Sequence, residues 1–268
     1  MIGPVLINGE VSDGRIPVTD SSVVRGDGCF EVMKSYNGRA FGVEGHLDRL
    51  QRSAAALGIG LPPRDDLRKW VERTAAERED GLVRVMVTRG SSVPGVDEPS
   101  NVIVFGHAAP AIAPSARLYP VEAPWHAAGV EWDLAGAKIL SYAPNLAASR
   151  RARSEGFDDA LLLATEGVVL EGPTFSVAWV VAGILETPTL DLGILDSITR
   201  RVVLEEADRM GLEVIEGSWN LDRIAEASEV MALSTVREVQ VVSHIGTLLF
   251  EPGPVTSKLA SAFNAIVN

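Results

Sequence analysis

CFEVMKSYNGRAFGV, residues 29–43, sets two runs of alternating side chains around an Asn37-Gly38 pair. Asn-Gly between such runs is the strongest short-range hairpin signal, because both residues accept the positive φ of a type I′ turn. The same reading applies to PVLINGE (4–10), which turns at Asn8-Gly9. DDALLLATEGVVLEG (158–172) reads as a hairpin turning at Glu166-Gly167, and FSVAWVVAGILETP (175–188) as another turning at Ala182-Gly183. Hairpins on this scale specify antiparallel sheet.

Helical segments stand between them. VEGHLDRLQRSAAALG (43–58) spaces Leu47, Leu50, Ala54 and Leu57 along one helical face and stops at Gly58. RDDLRKWVERTAAERED (64–80) is a second, more solvated helix, followed by strands GLVRVMVTRG (81–90) and NVIVFGHA (101–108). Past residue 113 the pattern predicts a strand near RLYPVEA, a helix near PNLAASRRARSEG, and a helix SITRRVVLEEADRMG behind Asp196 or Ser197. A strand LEVIEGSW, a short helix LDRIAEAS, strands EVMALST and EVQVVSHIG, and a final helix TSKLASAFNAIV follow. Hairpins and helices in separate groups indicate an α+β fold. HAAPAIAPSA (107–116), rich in Ala and Pro and without periodicity, is the expected linker. It divides the chain into a small N-terminal domain, 1–112, and a larger C-terminal domain, 113–268.

Composition narrows the function. At 268 residues, 46% apolar and 22% charged, the chain can bury a sizeable core. A net charge of −12 argues against binding nucleic acid or an anionic membrane, both of which need a positive field. Small molecules are the expected partners. The single cysteine, Cys29, excludes an internal disulfide, and no Cys or His spacing suggests a metal site, so a reducing cytoplasm is expected. No basic segment followed by an apolar one opens the sequence, and FSVAWVVAGIL (175–185) is about half of the ~20 residues a bilayer span requires. RGDGCFE and DLAGAK lack the glycine spacing of dinucleotide-binding and P-loop turns.

Lysine is scarce, at positions 34, 69, 138 and 258 only. Lys69 and Lys258 fall on predicted helices as surface charges, and Lys34 alternates with Val32 and Tyr36 in a strand. Lys138, in DLAGAKILSYAPN (133–145), sits among small residues before a tyrosine. A chemistry that needs an amine and not merely a charge is Schiff-base catalysis, which guanidinium cannot perform. A cofactor such as pyridoxal phosphate adds two requirements, an acidic partner for its ring nitrogen and a phosphate cup.

Four segments in order, RGDGCFEVMKSYNGRAFGVEGHLDRL (25–50), AKILSYAPN (137–145), VVLEGPTFSVAWV (168–180) and ILDSITRRVV (194–203), resemble the class IV aminotransferases. This is the fold-type IV group of pyridoxal-phosphate enzymes, which includes D-amino-acid and branched-chain aminotransferases and aminodeoxychorismate lyases. The likeness runs from about residue 5 to about residue 245. It implies a two-domain, D-amino-acid-aminotransferase-like fold, with the Schiff-base lysine in the larger domain and pyridoxal 5'-phosphate between the two. It also implies a homodimer in which a neighbour's loop covers the site.

Residue by residue, the resemblance makes Lys138 the Schiff-base lysine and Glu171 the carboxylate for the pyridine nitrogen. Arg49 matches the phosphate arginine, and Ile198 and Thr199 match the phosphate cup at a helix start. Ser234 and Thr235 match a turn that donates to phosphate or substrate, and Tyr142 a tyrosine that bonds the cofactor's phenolic oxygen. Phe30 falls on the substrate side, whereas His46 is expected to be structural.

The motifs divide on the reaction. EVMKSYNG (31–38) is closer to the D-amino-acid aminotransferase pattern, and Val32 stands where lyases commonly have threonine. VRGDG, AKILSYAPN and VLEGP resemble proteins of the lyase group. TRGSSVPGVDEP (88–99) lacks the Arg-x-His with which typical D-amino-acid aminotransferases grip the substrate carboxylate. Arg25, Arg89 or Arg237 is expected to supply that cation instead. An aminotransferase acting on D-amino acids and 2-keto acids is the reading favoured here. The alternative is a 4-amino-4-deoxychorismate lyase releasing pyruvate and 4-aminobenzoate.

Overall fold

In the computed structural model, Asn37 and Gly38 both have positive φ, 50° and 76°, and join β3 (Gly28–Tyr36) to β4 (Arg39–Ala40) as an antiparallel hairpin. Asn8 and Gly9, at 52° and 89°, do the same between β1 (Ile2–Ile7) and β2 (Glu10–Ser12). The structure describes residues 2–91, 93–96, 99–126 and 128–267. Ser92, Asp97 and Glu98 of the 88–99 stretch lie outside the described residues.

The chain separates into two compact units, Met1–Pro110 with Ala137–Tyr142, and Ala111–Gly136 with Ala143–Val267. Lys138 therefore belongs with the first unit, where the sequence reading had assigned it to the larger C-terminal domain. Backbone pairing is the reason. Cys29 bridges Ile139, Phe30 N–H donates to Lys138 C=O at 3.0 Å, and Leu140 N–H donates to Gly28 C=O at 2.8 Å. Residues 138–140 thus form an added edge beside β3.

The first unit is a six-stranded antiparallel sheet in the order β2-β1-β6-β5-β3-β4, with β5 (Asp80–Thr88) and β6 (Asn101–His107). Helix α1 (Ser21–Arg25) precedes β3, and α2 (Val43–Ala56) and α3 (Arg64–Ala76) connect β4 to β5. Strand side chains alternate between faces. Cys29, Met33, Val83, Val85, Val87, Val102 and Val104 pack against Leu47, Leu50 and Ala54 of α2 and Leu67, Val71 and Ala75 of α3. Each fully buried leucine or valine there is worth roughly 1.5–3 kcal/mol. Phe30, Val32, Arg84, Met86 and Phe105 consequently occupy the opposite face, with Val32, Arg84 and Phe105 side by side in the register.

The second unit is a mixed eight-stranded sheet, with path β11-β10-β9-β12-β13-β7-β8 and β14 on β13. Its strands are β7 (Ser115–Glu122), β8 (Asp159–Leu163), β9 (Ser176–Val181), β10 (Ile184–Pro188), β11 (Val214–Gly217), β12 (Glu229–Ser234), β13 (Glu238–Ile245) and β14 (Leu248–Leu249). The apolar run at 175–185 is a wholly buried central strand followed by a turn, with Ala182 at φ 50° and Gly183 at 84°. Three pairs, β10/β11, β13/β7 and β7/β8, are parallel, which hairpin signals cannot reveal. The helices are α4 (Ala143–Ser154), α5 (Ile198–Arg209), α6 (Leu221–Ala225) and α7 (Pro254–Val267). No helix among the described residues is long and apolar enough to cross a membrane.

Candidate active site

The GDG of residues 26–28 is a docking surface for the lysine segment. A Cβ on Gly28 would stand 2.3 Å from Val87 O and 2.7 Å from Leu140 Cδ1, and one on Gly26 would stand 2.8 Å from Ser141 Oγ. Only glycine admits this approach. Ser141 Oγ then donates to Gly26 C=O at 2.9 Å, and Lys138 N–H donates to Ser53 Oγ of α2 at 3.0 Å. With its backbone held at both ends, Lys138 places Nζ 4.5 Å from the Phe30 ring centre and 5.9 Å from that of Tyr142. The two rings meet edge to face at 5.5 Å. An ammonium over aromatic faces is attracted by their quadrupoles, and Lys138 is half-buried there.

Glu31 follows Phe30 in the strand, so its side chain turns to the helix-packed face. It is fully buried and accepts hydrogen bonds from Arg49 Nε and Nη2, each at 2.7 Å. Glu31 Oε2 also lies 2.8 Å from His46 Nδ1. A carboxylate can only accept, so Nδ1 carries the proton, and the 3.3 Å approach of Arg49 Nη2 to Nδ1 is a contact between donors. Burial pushes the Glu31 carboxyl up, but the Arg49 charge and hydrogen bonds, with those of His46, outweigh it and hold the pKa at about 2. His46 is lowered, by burial first and by Arg49 and Lys138 besides, against the pull of Glu31. His46 is therefore neutral, with Nε2 unprotonated. Burial, reinforced by Glu31, lifts the Cys29 thiol to about 12, so it stays protonated and inert.

The second unit contains Glu171, Ile198, Thr199, Ser234 and Thr235. Leu195 N–H donates to Glu171 Oε1 at 3.2 Å, which ties the carboxylate to the segment leading into α5. Ser197 caps that helix, its Oγ accepting from Arg200 N–H at 3.3 Å. Among the described residues the N–H groups of Ile198 and Thr199 have no acceptor, and Ser197 and Thr199 are buried. Two unsatisfied amides at the positive end of a twelve-residue helix suit a phosphate. The helix packs on β12, whose last residue, Ser234, accepts from Arg237 N–H at 3.1 Å and shapes the turn carrying Thr235. Donors gathered around a helix start, with a carboxylate tied nearby, fit the phosphate and ring nitrogen of pyridoxal phosphate. Among the described residues no group of three or more His, Cys, Asp or Glu is placed to hold a metal ion.

The structure treats the expected carboxylate anchors differently. Arg89 is already paired, through Nε at 2.5 Å and Nη2 at 3.2 Å to Asp27, and it also donates to Leu57 C=O. Arg237 donates to Asp159 at 2.9 Å and to Gln240 at 2.7 Å, and stacks 4.7 Å from the Phe175 ring centre. Arg25 is exposed at the end of α1. Arg49, expected on phosphate, commits Nε and Nη2 to Glu31. The sequence reading overlooked Arg84, which is half-buried with its guanidinium carbon 5.5 Å from the Phe30 ring centre. It also passed over Glu31, although its place in GDGCFE was a usable signal.

The family model for class IV amino-transferases matches residues 28–245. A D-alanine aminotransferase of Listeria monocytogenes is 30% identical over 97% of this chain and 94% of its own. A bifunctional aminodeoxychorismate lyase / D-amino acid transaminase of Mycobacterium tuberculosis is 29% identical over 91% and 90%. The crystal structure of a branched-chain aminotransferase from Thermoproteus uzoniensis, with norvaline, superposes with a TM-score of 0.89 at 26% identity, covering 100% of this chain and 95% of that one. A buttressed lysine amine, a helix start with open amides and a match over most of the sequence lead to one assignment: the chain belongs to the class IV aminotransferases, which use pyridoxal phosphate.

Proposed function

We propose that this aminotransferase moves an amino group between a D-amino acid and a 2-keto acid. The observation that carries the chemistry is the Lys138 amine, fixed by backbone bonds beside Gly28 and Phe30 and set against the Phe30 and Tyr142 rings. The D-amino acid preference rests on the EVMKSYNG motif and on likeness to relatives named for D-alanine and D-amino acid transamination.

When bound, pyridoxal phosphate supplies an electron sink that lets a substrate Cα proton leave. Lys138 Nζ is the base that takes this proton, a task for which an amine in a partly desolvated site is suited. Glu171 would be the carboxylate that keeps the cofactor's ring nitrogen protonated. The N–H groups of Ile198 and Thr199 and the hydroxyls of Ser234 and Thr235 would hold the phosphate; the family resemblance adds Arg49, whose Nε and Nη2 are on Glu31, and Tyr142 for the phenolic oxygen. We also infer a homodimer in the cytoplasm, from the family resemblance and the single cysteine.

The test is direct. Purified holoenzyme should lose its visible absorbance with D-alanine or D-glutamate, and Lys138→Ala should bind the cofactor without covalent attachment and lose turnover by orders of magnitude. Bleaching by L-leucine and not by the D-amino acids would overturn the stereochemical assignment. Near-normal turnover in Lys138→Ala would overturn the catalytic one. A second reading, 4-amino-4-deoxychorismate lyase, is favoured by VRGDG, AKILSYAPN and VLEGP and by likeness to the bifunctional relative. Release of 4-aminobenzoate from aminodeoxychorismate would identify it.

A further inference from the structure

The backbone that carries Lys138 is held from two places. Leu140 N–H donates to Gly28 C=O at 2.8 Å and Ser141 Oγ to Gly26 C=O at 2.9 Å, so the GDG turn holds one end. Lys138 N–H donates at 3.0 Å to Ser53 Oγ, in the last turn of α2. A shift of the turn relative to α2 would therefore move the backbone from which Nζ projects.

Arg89, the residue after β5, spans those two places. Its Nε donates to Asp27 Oδ2 at 2.5 Å and its Nη2 to Oδ1 at 3.2 Å, and Asp27 stands between the two docking glycines. Nη2 also donates to Leu57 C=O at 2.6 Å. Leu57 caps α2, and its own N–H donates to Ser53 C=O at 3.2 Å. Guanidinium suits this task because its planar fork meets both carboxylate oxygens while a further N–H reaches the carbonyl; an ammonium has no such fork. A cation at the carbonyl end of a helix is favoured besides.

Other bonds fasten the neighbouring chain without Arg89. Thr88 Oγ1 donates to Asp20 Oδ2 at 2.7 Å, and Ser21 N–H donates to Gly90 C=O at 2.7 Å. These keep the end of β5 on α1, whereas the guanidinium joins Asp27 to Leu57. The side chains of Arg89 and Asp27 are 37% and 27% exposed, so solvent screens the pair and its net contribution to stability is small. Its main consequence is geometric.

We propose that Arg89 is a positioning residue for the Lys138 amine: by clamping Asp27 to Leu57 it fixes the GDG turn against α2, and through both it fixes the aim of Nζ beside Phe30 and Tyr142. The inference rests on Lys138 being the reacting amine. It gives Arg89 a task other than the substrate anchor expected from the sequence.

Arg89→Gln, Arg89→Lys and Asp27→Asn test it. Hydrogen exchange of the full-length apoprotein is a readout independent of turnover. Amides of 137–142 should exchange about tenfold faster in Arg89→Gln, while those of β1 and β6 keep wild-type rates, as for a local opening. Asp27→Asn should loosen the same segment, and Arg89→Lys, which keeps the charge without the fork, should fall between. In the holoenzyme, Arg89→Gln should lower kcat by about tenfold to a hundredfold with KM for D-alanine and pyruvate within about threefold, because a misplaced reacting group slows the chemical step. Unchanged exchange at 137–142 would overturn the proposal. So would uniformly faster exchange with a matching fall in Tm, which would make Arg89 a support of the whole fold. A raised KM at unchanged kcat would also overturn it and return Arg89 to substrate binding. Wild-type holoenzyme that turned over no amino acid would refute the transamination reading, while faster exchange confined to 137–142 in Arg89→Gln would leave the clamp standing.

Discussion

Arg49 closes a two-point hydrogen bond on Glu31, with Nε and Nη2 each 2.7 Å from a carboxylate oxygen and both side chains buried. The pair joins β3 to α2 directly beneath Phe30. Breaking a buried pair from one side costs more than the pair contributes, because the remaining charge is stranded. Glu31→Gln should therefore destabilise the protein by about 3–5 kcal/mol, measured by urea denaturation of the apoprotein. A loss under about 1 kcal/mol would mean that Arg49 finds another anion, and the pair would then not be what fixes it.

The same cluster shapes the acid limb of stability. His46 is held below its ordinary 6.5, and Glu31 is held at about 2 against an ordinary 4.5. In both cases the unfolded chain binds the proton more readily, so stability present above the unfolded value falls as pH falls. The decline should begin below 6.5 through His46 and continue from 4.5 towards about 2 through Glu31. His46→Asn should flatten the first part. Urea midpoints of the two proteins between about pH 7 and 5 check this, and parallel slopes would remove His46 from the account.

Gly28→Ala tests whether the glycine exists for the lysine. Its Cβ would clash with backbone Val87 O at 2.3 Å, which cannot swing aside, and with Leu140 Cδ1 at 2.7 Å. Overpacking of this kind costs about 1–3 kcal/mol and should push residues 138–140 off the strand edge. The expected outcome is a lower Tm together with less pyridoxal phosphate covalently retained per chain. A Tm loss with full retention would show that the sheet, and not the lysine segment, absorbs the strain.

Local chemistry was legible in the sequence and long-range pairing was not. Asn8, Asn37 and Ala182 lie at positive φ where the turns were expected, because turn geometry is decided by two adjacent residues. Helix α2 was readable because Leu47, Leu50 and Ala54 share one face. Helix α1, five residues long, is too short to display a period. The pairing of Cys29 with Ile139 joins segments over a hundred residues apart, and no local pattern announces it. The arginines show the same limit. Sequence marks Arg89 and Arg237 as available cations, while their partners, Asp27 and Asp159, lie 62 and 78 positions away. Arg84 escaped notice because an arginine alternating with valines looks like an ordinary solvent-facing position.

Arg237 separates a structural cation from a substrate-binding one. Its guanidinium bonds Asp159, which also accepts from Ser149 Oγ at 2.7 Å, so the pair links β8, α4 and the turn after β12. The side chains of Arg237 and Asp159 are 16% and 6% exposed, so solvent screens the pair little. Removing it by Arg237→Ala should cost about 1.5–3 kcal/mol. Asp159→Asn should lose a comparable amount, and the double variant should show a coupling energy of about 0.5–3 kcal/mol, since both changes remove one interaction. Denaturation of the four proteins measures that cycle. If Arg237→Ala instead kept wild-type stability and raised KM for pyruvate and 2-oxoglutarate alike, Arg237 would be the carboxylate anchor and its bond to Asp159 incidental. Loss of stability at unchanged KM places it in the scaffold of the second unit.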